Sequence, residues 1–228
     1  MGTPEPVSER VRRLRALDCC AVSDALDRLG FQGVVTGLPQ QSGDGRIAGV
    51  AVTVKLGTGE PPPGPPRHLG AAAIEIAGPN NIIVVEQRTG LDAGSWGGLL
   101  SLAAKVRDIA GVIADGPVRD IDEARAYGFP VFTHSLTART ARGRIVEKGC
   151  NLPVNIRDVA VEPGDYVIAD RSAVIFIHAD LIDQVLEAAE TIARREAAMA
   201  QALRDGKPVG EVMAGDYENM LRKDGAAR

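Results

Sequence analysis

The sequence predicts a single α/β domain whose second half is rich in short strands. From Trp96 to Phe132 the pattern alternates helix, strand, helix, strand, the order of α/β architectures. From Arg144 to Ile177 it changes to short apolar runs separated by turn signals. The clearest of these is Glu162-Pro163-Gly164-Asp165, with Pro and Gly at the central positions of a type II turn. A chain of 228 residues, 45% of them hydrophobic, can form one sizeable core without a second domain.

The elements follow in order. Ser8 is placed to cap a first helix carrying Val11, Leu14 and Leu17, and a second helix from about Val22 to Leu29 stops at Gly30. Residues 31–45, rich in Gly, Gln and Pro, read as loop. Ile47 to Val54 is a strand of small and β-branched residues. Gly57 to Pro66 holds too many prolines for a helix or a central strand; it is a surface loop or polyproline spacer. A short Ala-rich helix, His68 to Ile76, precedes the strand Asn81 to Val85. A long helix runs from about Ala179 to Leu203, and a helical extension from about 205 to 228 closes the chain.

Net charge is −4 with both signs interspersed, so the basic excess of a nucleic-acid footprint is missing. No apolar run approaches the length of a membrane span, and the N-terminal residues lack the apolar stretch of a secretory signal, so a cytoplasmic location is the default expectation. Cys19, Cys20 and Cys150 are odd in number and lack zinc spacing; they read as small buried hydrophobes. His68, His134 and His178 are expected to be structural or surface residues.

The candidate chemistry lies in Val118-Arg119-Asp120-Ile121-Asp122-Glu123, which follows a buried strand and a Gly-Pro turn at the mouth of a helix. Asp120 and Glu123, three apart, are expected to share a helix face, with Arg119 pointing elsewhere. One turn would then offer a cation to an anionic substrate and carboxylates to a hard metal ion. Acids in a first helical turn also simply offset the helix dipole. A second helix start, Trp96-Gly97-Gly98-Leu99-Leu100, would leave backbone N–H groups open to an anion.

These residues resemble a known family. Gly98, twenty intervening residues, Arg119-Asp120, two more, then Glu123 is similar to the signature of class II 4-hydroxy-4-methyl-2-oxoglutarate aldolases, within the larger RraA-like family of proteins similar to the regulator of ribonuclease E activity. Ala21 to Gly30, Tyr127 to Phe132, Leu152 to Ile156 and Val161 to Asp170 also look like family segments in family order, over roughly residues 15 to 200. The resemblance implies a three-layer β/β/α sandwich of the swivelling type. It also implies a homo-oligomer, trimer or hexamer, and a pyruvyl-containing 2-oxo acid as substrate. The cofactor would be a divalent cation, Mg²⁺ or secondarily Mn²⁺.

By the same resemblance Asp120 would bind the metal and Glu123 would act through water. Arg119 would meet the keto or enolate oxygen, and the N–H groups of Gly97, Gly98, Leu99 and Leu100 the pyruvyl carboxylate. A glutamate of the last helix, Glu196 with Glu190 second, would reach a neighbouring subunit's site through water. Many relatives carry an acid where this chain has Gly98, so oxaloacetate decarboxylation is expected to outlast aldol cleavage. The alternative is a non-catalytic regulator docking on a ribonuclease or helicase. A Schiff-base route is less attractive, because neither Lys55 nor Lys105 sits in a lysine-aldolase motif. A methyltransferase is rejected: Gly43 to Gly49 misses nucleotide-loop spacing and precedes a strand.

Overall fold

A computed structural model describes residues 5–65 and 67–214. The strands are β1 (Val34–Val35), β2 (Gln40–Ser42), β3 (Ile47–Gly57), β4 (Asn81–Glu86), β5 (Gly111–Asp115), β6 (Val131–Thr133), β7 (Val146–Cys150), β8 (Val154–Ile156), β9 (Val159–Val161), β10 (Tyr166–Ala169) and β11 (Val174–Ile177). The helices are α1 (Val7–Ala16), α2 (Cys19–Leu29), α3 (Ala71–Ile76), α4 (Gly98–Val106), α5 (Ile121–Tyr127), α6 (Ile182–Arg204) and α7 (Val209–Val212).

The long strand β3 organises the sheet. Along one edge it pairs in parallel with β4, which continues in parallel to β5 and β6; along the other it pairs antiparallel first with β10 and then with β7. β11 and β1 extend one side of the sheet, β2 closes the other on β6, and β8 and β9 form a separate hairpin. Side chains alternate between the faces of β3. Ala48, Val52, Val54 and Leu56 turn to the helices, whereas Ile47 and Ala51 turn to the opposite face. On that opposite face Ile82, Ile113, Phe132 and Val167 meet Val154, Ile156 and Val161 of the hairpin, which supplies the second β layer. The expected three-layer α/β domain is the one observed.

On the helical face α1, α2 and α6 pack over β10, β11 and the start of β3, while α3, α4 and α5 cover β4, β5 and the end of β3. α6 buries Ile182, Val185, Leu186, Ala189 and Ile192, all in its first half. Each large aliphatic among them contributes about 1.5–3 kcal/mol. Its second half, from Ala193 on, contributes no fully buried residue.

Several local expectations are corrected. Pro6 occupies the N-cap of α1, with Ser8 already inside the helix, because proline's fixed φ suits a helix entry. The Asp18 side chain caps α2 by accepting from the Ala21 N–H. Residues 31–45 contain the short strands β1 and β2, recruited by the edges of β11 and β6. β3 continues to Gly57 because β7 pairs with its far end. The Ala-rich helix begins at Ala71, not His68. Ala179–Leu181 is a 3₁₀ turn before α6. Cys20 is exposed and Cys150 half-buried, so only Cys19 is the buried hydrophobe expected. Within the expected extension α7 is a single turn, and residues 215–228 lie outside those described.

Candidate functional site

The site forms where two loops at the C-terminal ends of parallel strands are zipped together. The loop after β4 leads to α4, and the one after β5 leads to α5. Ser95 N–H donates to Pro117 O at 2.7 Å and Arg119 N–H to Trp96 O at 3.0 Å. Val118 bridges to Trp96 on one side and Leu136 on the other. Trp96 anchors the junction: it is buried, its ring lies 6.5 Å from Phe129, and its Nε1 donates to Ser101 Oγ at 3.0 Å. Gly97-Gly98 and Arg119-Asp120, with twenty residues between them in sequence, thereby become neighbours.

Arg119 does not point away from Asp120. Its Nε donates to both carboxylate oxygens of Asp120, at 3.2 and 3.1 Å, because its aliphatic stem lies flat over Gly94 and Gly97. A Cβ on either glycine would press on Arg119 Cγ, at 3.0 and 3.2 Å. Asp120 itself stands outside the helix, at the N-cap of α5, with φ 55° and ψ 38°. That left-handed conformation costs an L-residue about 1–2 kcal/mol, least for Asp and Asn. Here it turns the carboxylate toward α4, where Oδ2 accepts the Gly98 N–H at 3.3 Å. Of the helix-start N–H groups expected to meet an anion, Gly98's is thus already engaged. Leu99 and Leu100 retain first-turn N–H groups that α4 itself cannot satisfy.

Glu123 completes the arrangement in a way the spacing could not reveal. A Cβ at Gly98 would collide with Glu123 Oε2 and stand 2.7 Å from its Cδ and 3.1 Å from Asp120 Cβ. The Glu123 carboxylate therefore fills the space that a residue-98 side chain would enter. Asp120 and Glu123 do not share a helix face, yet both side chains converge above Gly98. Among the described residues no cluster of three or more His, Cys, Asp or Glu forms a full metal cage. Two converging carboxylates instead fit a hard cation that keeps most of its water, as Mg²⁺ does.

A cleft of about 220 Å³ opens over Gly97, Gly98, Arg119 and Asp120, with Glu123 beside Gly98 and outside its lining. His68, expected to be a structural or surface residue, lines it together with Thr140 and Arg142, which the sequence reading did not single out. His68 precedes α3, and Thr140 and Arg142 lie in the loop before β7, so none sits in a periodic element. A larger cavity of about 760 Å³ surrounds Asp115 at the end of β5. Asp115 is almost fully buried, accepts the Arg157 N–H at 2.8 Å, and has the Arg157, Arg88 and His134 side chains at 3.4, 3.9 and 3.9 Å. Burial, then the Arg157 charge, holds the His134 pKa below its usual value. This acid is already compensated, and we place the candidate site in the smaller cleft.

Glu196 does not line the cleft. It packs against α2, where burial and then the charges of Asp18 and Asp24 raise its carboxyl pKa. Glu190 is held by Arg13, whose Nε donates to it at 2.7 Å.

The chain is 28% identical over 185 residues to the protein DlpA of Legionella pneumophila, covering 81% of this chain but only 30% of DlpA's length. It is 26% identical over 199 residues, 86% of this chain and 89% of the relative, to a Halalkalibacterium halodurans protein provisionally named 4-hydroxy-4-methyl-2-oxoglutarate aldolase. In fold it is similar to Streptomyces coelicolor RraAS2, an unusual member of the RNase ES inhibitor RraA family, with TM-score 0.74 at 22% identity over 86% of this chain and 98% of that one. The family profile described as Aldolase/RraA matches residues 19–176, and the chain belongs to the RraA-like family.

Proposed function

We propose that this chain is a divalent-metal-dependent carbon–carbon lyase acting on pyruvyl-containing 2-oxo acids. Its reactions would be aldol cleavage of 4-hydroxy-4-methyl-2-oxoglutarate and decarboxylation of oxaloacetate. The observation that carries this is the convergence of Arg119, Asp120 and Glu123 on the N-terminus of α4 above Gly98. Both reactions leave a pyruvate enolate, so both need positive charge near the former keto oxygen and a holder for the carboxylate.

Asp120 would hold the cation and Glu123 would support it through water; the cation, Mg²⁺ or secondarily Mn²⁺, supplies Lewis-acid stabilisation of the enolate charge. Arg119, fixed through Nε, keeps its terminal nitrogens for the substrate oxygen, a contact typically worth about 3 kcal/mol in the transition state. The first-turn N–H groups of Leu99 and Leu100 would bind the pyruvyl carboxylate. Aldol cleavage also requires a group to take the proton of the substrate alcohol. Gly98 provides none, so decarboxylation is expected to outlast aldol cleavage unless Glu123, whose carboxylate occupies the space above Gly98, takes that proton.

Assembly and location belong to the same proposal. Leu99, Leu102 and Val106 form an exposed apolar stripe on α4 beside the cleft, supporting a homo-oligomer, trimer or hexamer, with this face covered. No described helix is long and apolar enough to cross a membrane, and the described cysteines are free, which is compatible with a cytoplasmic enzyme. The regulator alternative has the fold likeness to RraAS2 behind it, but a regulator needs no such convergence of carboxylates and arginine. Pyruvate release from both substrates, with and without Mg²⁺, tests the proposal; no release from either would sink it.

A further inference from the structure

The Arg119 cleft does not end at Arg142. His68, Leu69, Thr140, Ala141 and Arg142 line both that cleft and a second chamber of about 770 Å³, so the two spaces adjoin at these residues. The chamber lies between the proline loop and β7. Pro61, Pro62, Pro63 and Pro65 form one wall, with Ile145 and Val146 opposite. Lys148 Nζ, donating to Glu60 O at 3.0 Å, ties the loop to β7. Prolines have no N–H to offer and little backbone freedom to lose, so this wall is apolar and preorganised. Glu147, the acid of that lining, is engaged by the Gly70 N–H at 2.7 Å.

The sizes separate the roles. Pockets for small organic ligands typically span about 300–1,000 Å³. The cleft, at about 220 Å³, is below that range and suits an oxo-acid head; the chamber, at about 770 Å³, lies within it. We propose that the chamber receives the substituent of the substrate, and hence that the chain prefers 2-oxo acids with a long, carbon-rich substituent over those that fit the cleft alone. This rests on the lyase reading for the head's position. His68, Thr140 and Arg142, which border both spaces, would flank the junction of head and substituent.

Binding separates this inference from that reading, because it needs no turnover. Pyruvate and 2-oxo-4-phenylbutanoate are titrated calorimetrically into the full chain with Mg²⁺ present, and the same preparation is assayed for pyruvate release from oxaloacetate. The phenyl compound should bind at least about tenfold more tightly, the scale on which an apolar pocket separates ligands by size. Val146→Phe, which adds bulk to the chamber's β7 wall, and Pro62→Asp, which charges an exposed part of its opposite wall, should each remove that preference and leave pyruvate binding unchanged. Equal affinities in the wild-type chain, or a preference that survives both substitutions, overturn the inference even if oxaloacetate is decarboxylated. A preference lost in both variants upholds the chamber even if oxaloacetate is not turned over.

Discussion

Gly98→Ala offers a substitution whose effects on stability and chemistry should separate. Gly98 opens α4 with a backbone that does not demand glycine, so alanine brings a helix-propensity gain of up to about 1 kcal/mol, smaller at a first position. Against this, the new Cβ meets Glu123 Oε2 and Cδ and stands 3.1 Å from Asp120 Cβ. Glu123 is exposed and flexible, so its carboxylate swings away at little cost, while Asp120 must give by a few tenths of an ångström. Net stability should stay within about 1 kcal/mol of wild type, a change of about 2–4 °C in Tm for a chain of this size.

Function should respond far more. Displacing a carboxylate that supports a metal site typically costs about 10–100-fold in metal affinity or activity. Pyruvate release from oxaloacetate across a Mg²⁺ titration reads both, and a thermal melt reads stability. Glu123→Ala should show the same loss, and the double variant no more than either alone, since both remove one arrangement. Wild-type rate and Mg²⁺ dependence in a folded Gly98→Ala protein would refute the role given to Glu123 above Gly98.

Other expectations follow from the same geometry. Gly98→Glu alone forces two carboxylates into one space and should lower both activities, whereas Gly98→Glu with Glu123→Ala relocates the acid and should recover aldol cleavage more than decarboxylation; equal recovery of both, read as a ratio of rates, counts against a proton role. Glu196→Gln should raise Tm at neutral pH. Burial first, and then the charges of Asp18 and Asp24, hold the Glu196 pKa above its ordinary value in the folded protein, so its ionisation costs nothing in acid and costs stability as pH rises. The gain should therefore vanish below the usual carboxylate range, and a melt indifferent to pH contradicts it; a concurrent fall in activity would mark Glu196 as a contributor to a neighbouring subunit's site. Asp170 behaves oppositely: burial pushes its pKa up, but the N–H groups of Cys19 and Ser172, at 3.0 and 2.8 Å, hold it below the ordinary value. Its contribution is present above the ordinary carboxylate pKa and lost as pH falls through the lowered one. Asp170→Ala should thus cost about 1–3 kcal/mol at neutral pH and less in acid, by chemical denaturation.

The parallel core was readable because β3, β4 and β5 are continuous apolar runs punctuated by helices, a pattern set by burial on both faces. β1 and β2, two and three residues long, carry no periodicity and exist only because neighbouring edges recruit them. The acid–arginine cluster was readable as residue types, but its geometry was not. Sequence spacing put Asp120 on a helix face, whereas a left-handed N-cap and a neighbouring helix decide where its carboxylate goes. Glu123 over Gly98 is a contact between α4 and α5, and His68, Thr140 and Arg142 come from loops, so only the closed fold brings them to the cleft.

The most direct measurement is pyruvate release from oxaloacetate by the purified chain with Mg²⁺, repeated after EDTA and with Asp120→Ala. Asp120 stands at the N-cap of α5 in a left-handed conformation that costs alanine about 1–2 kcal/mol, a loss small against the roughly 5–15 kcal/mol of a typical domain, so this variant should remain folded. The account predicts turnover in the wild-type protein, its loss on chelation with recovery on added Mg²⁺, and none above background in a folded Asp120→Ala. Turnover undiminished by EDTA, or retained by Asp120→Ala, would contradict it.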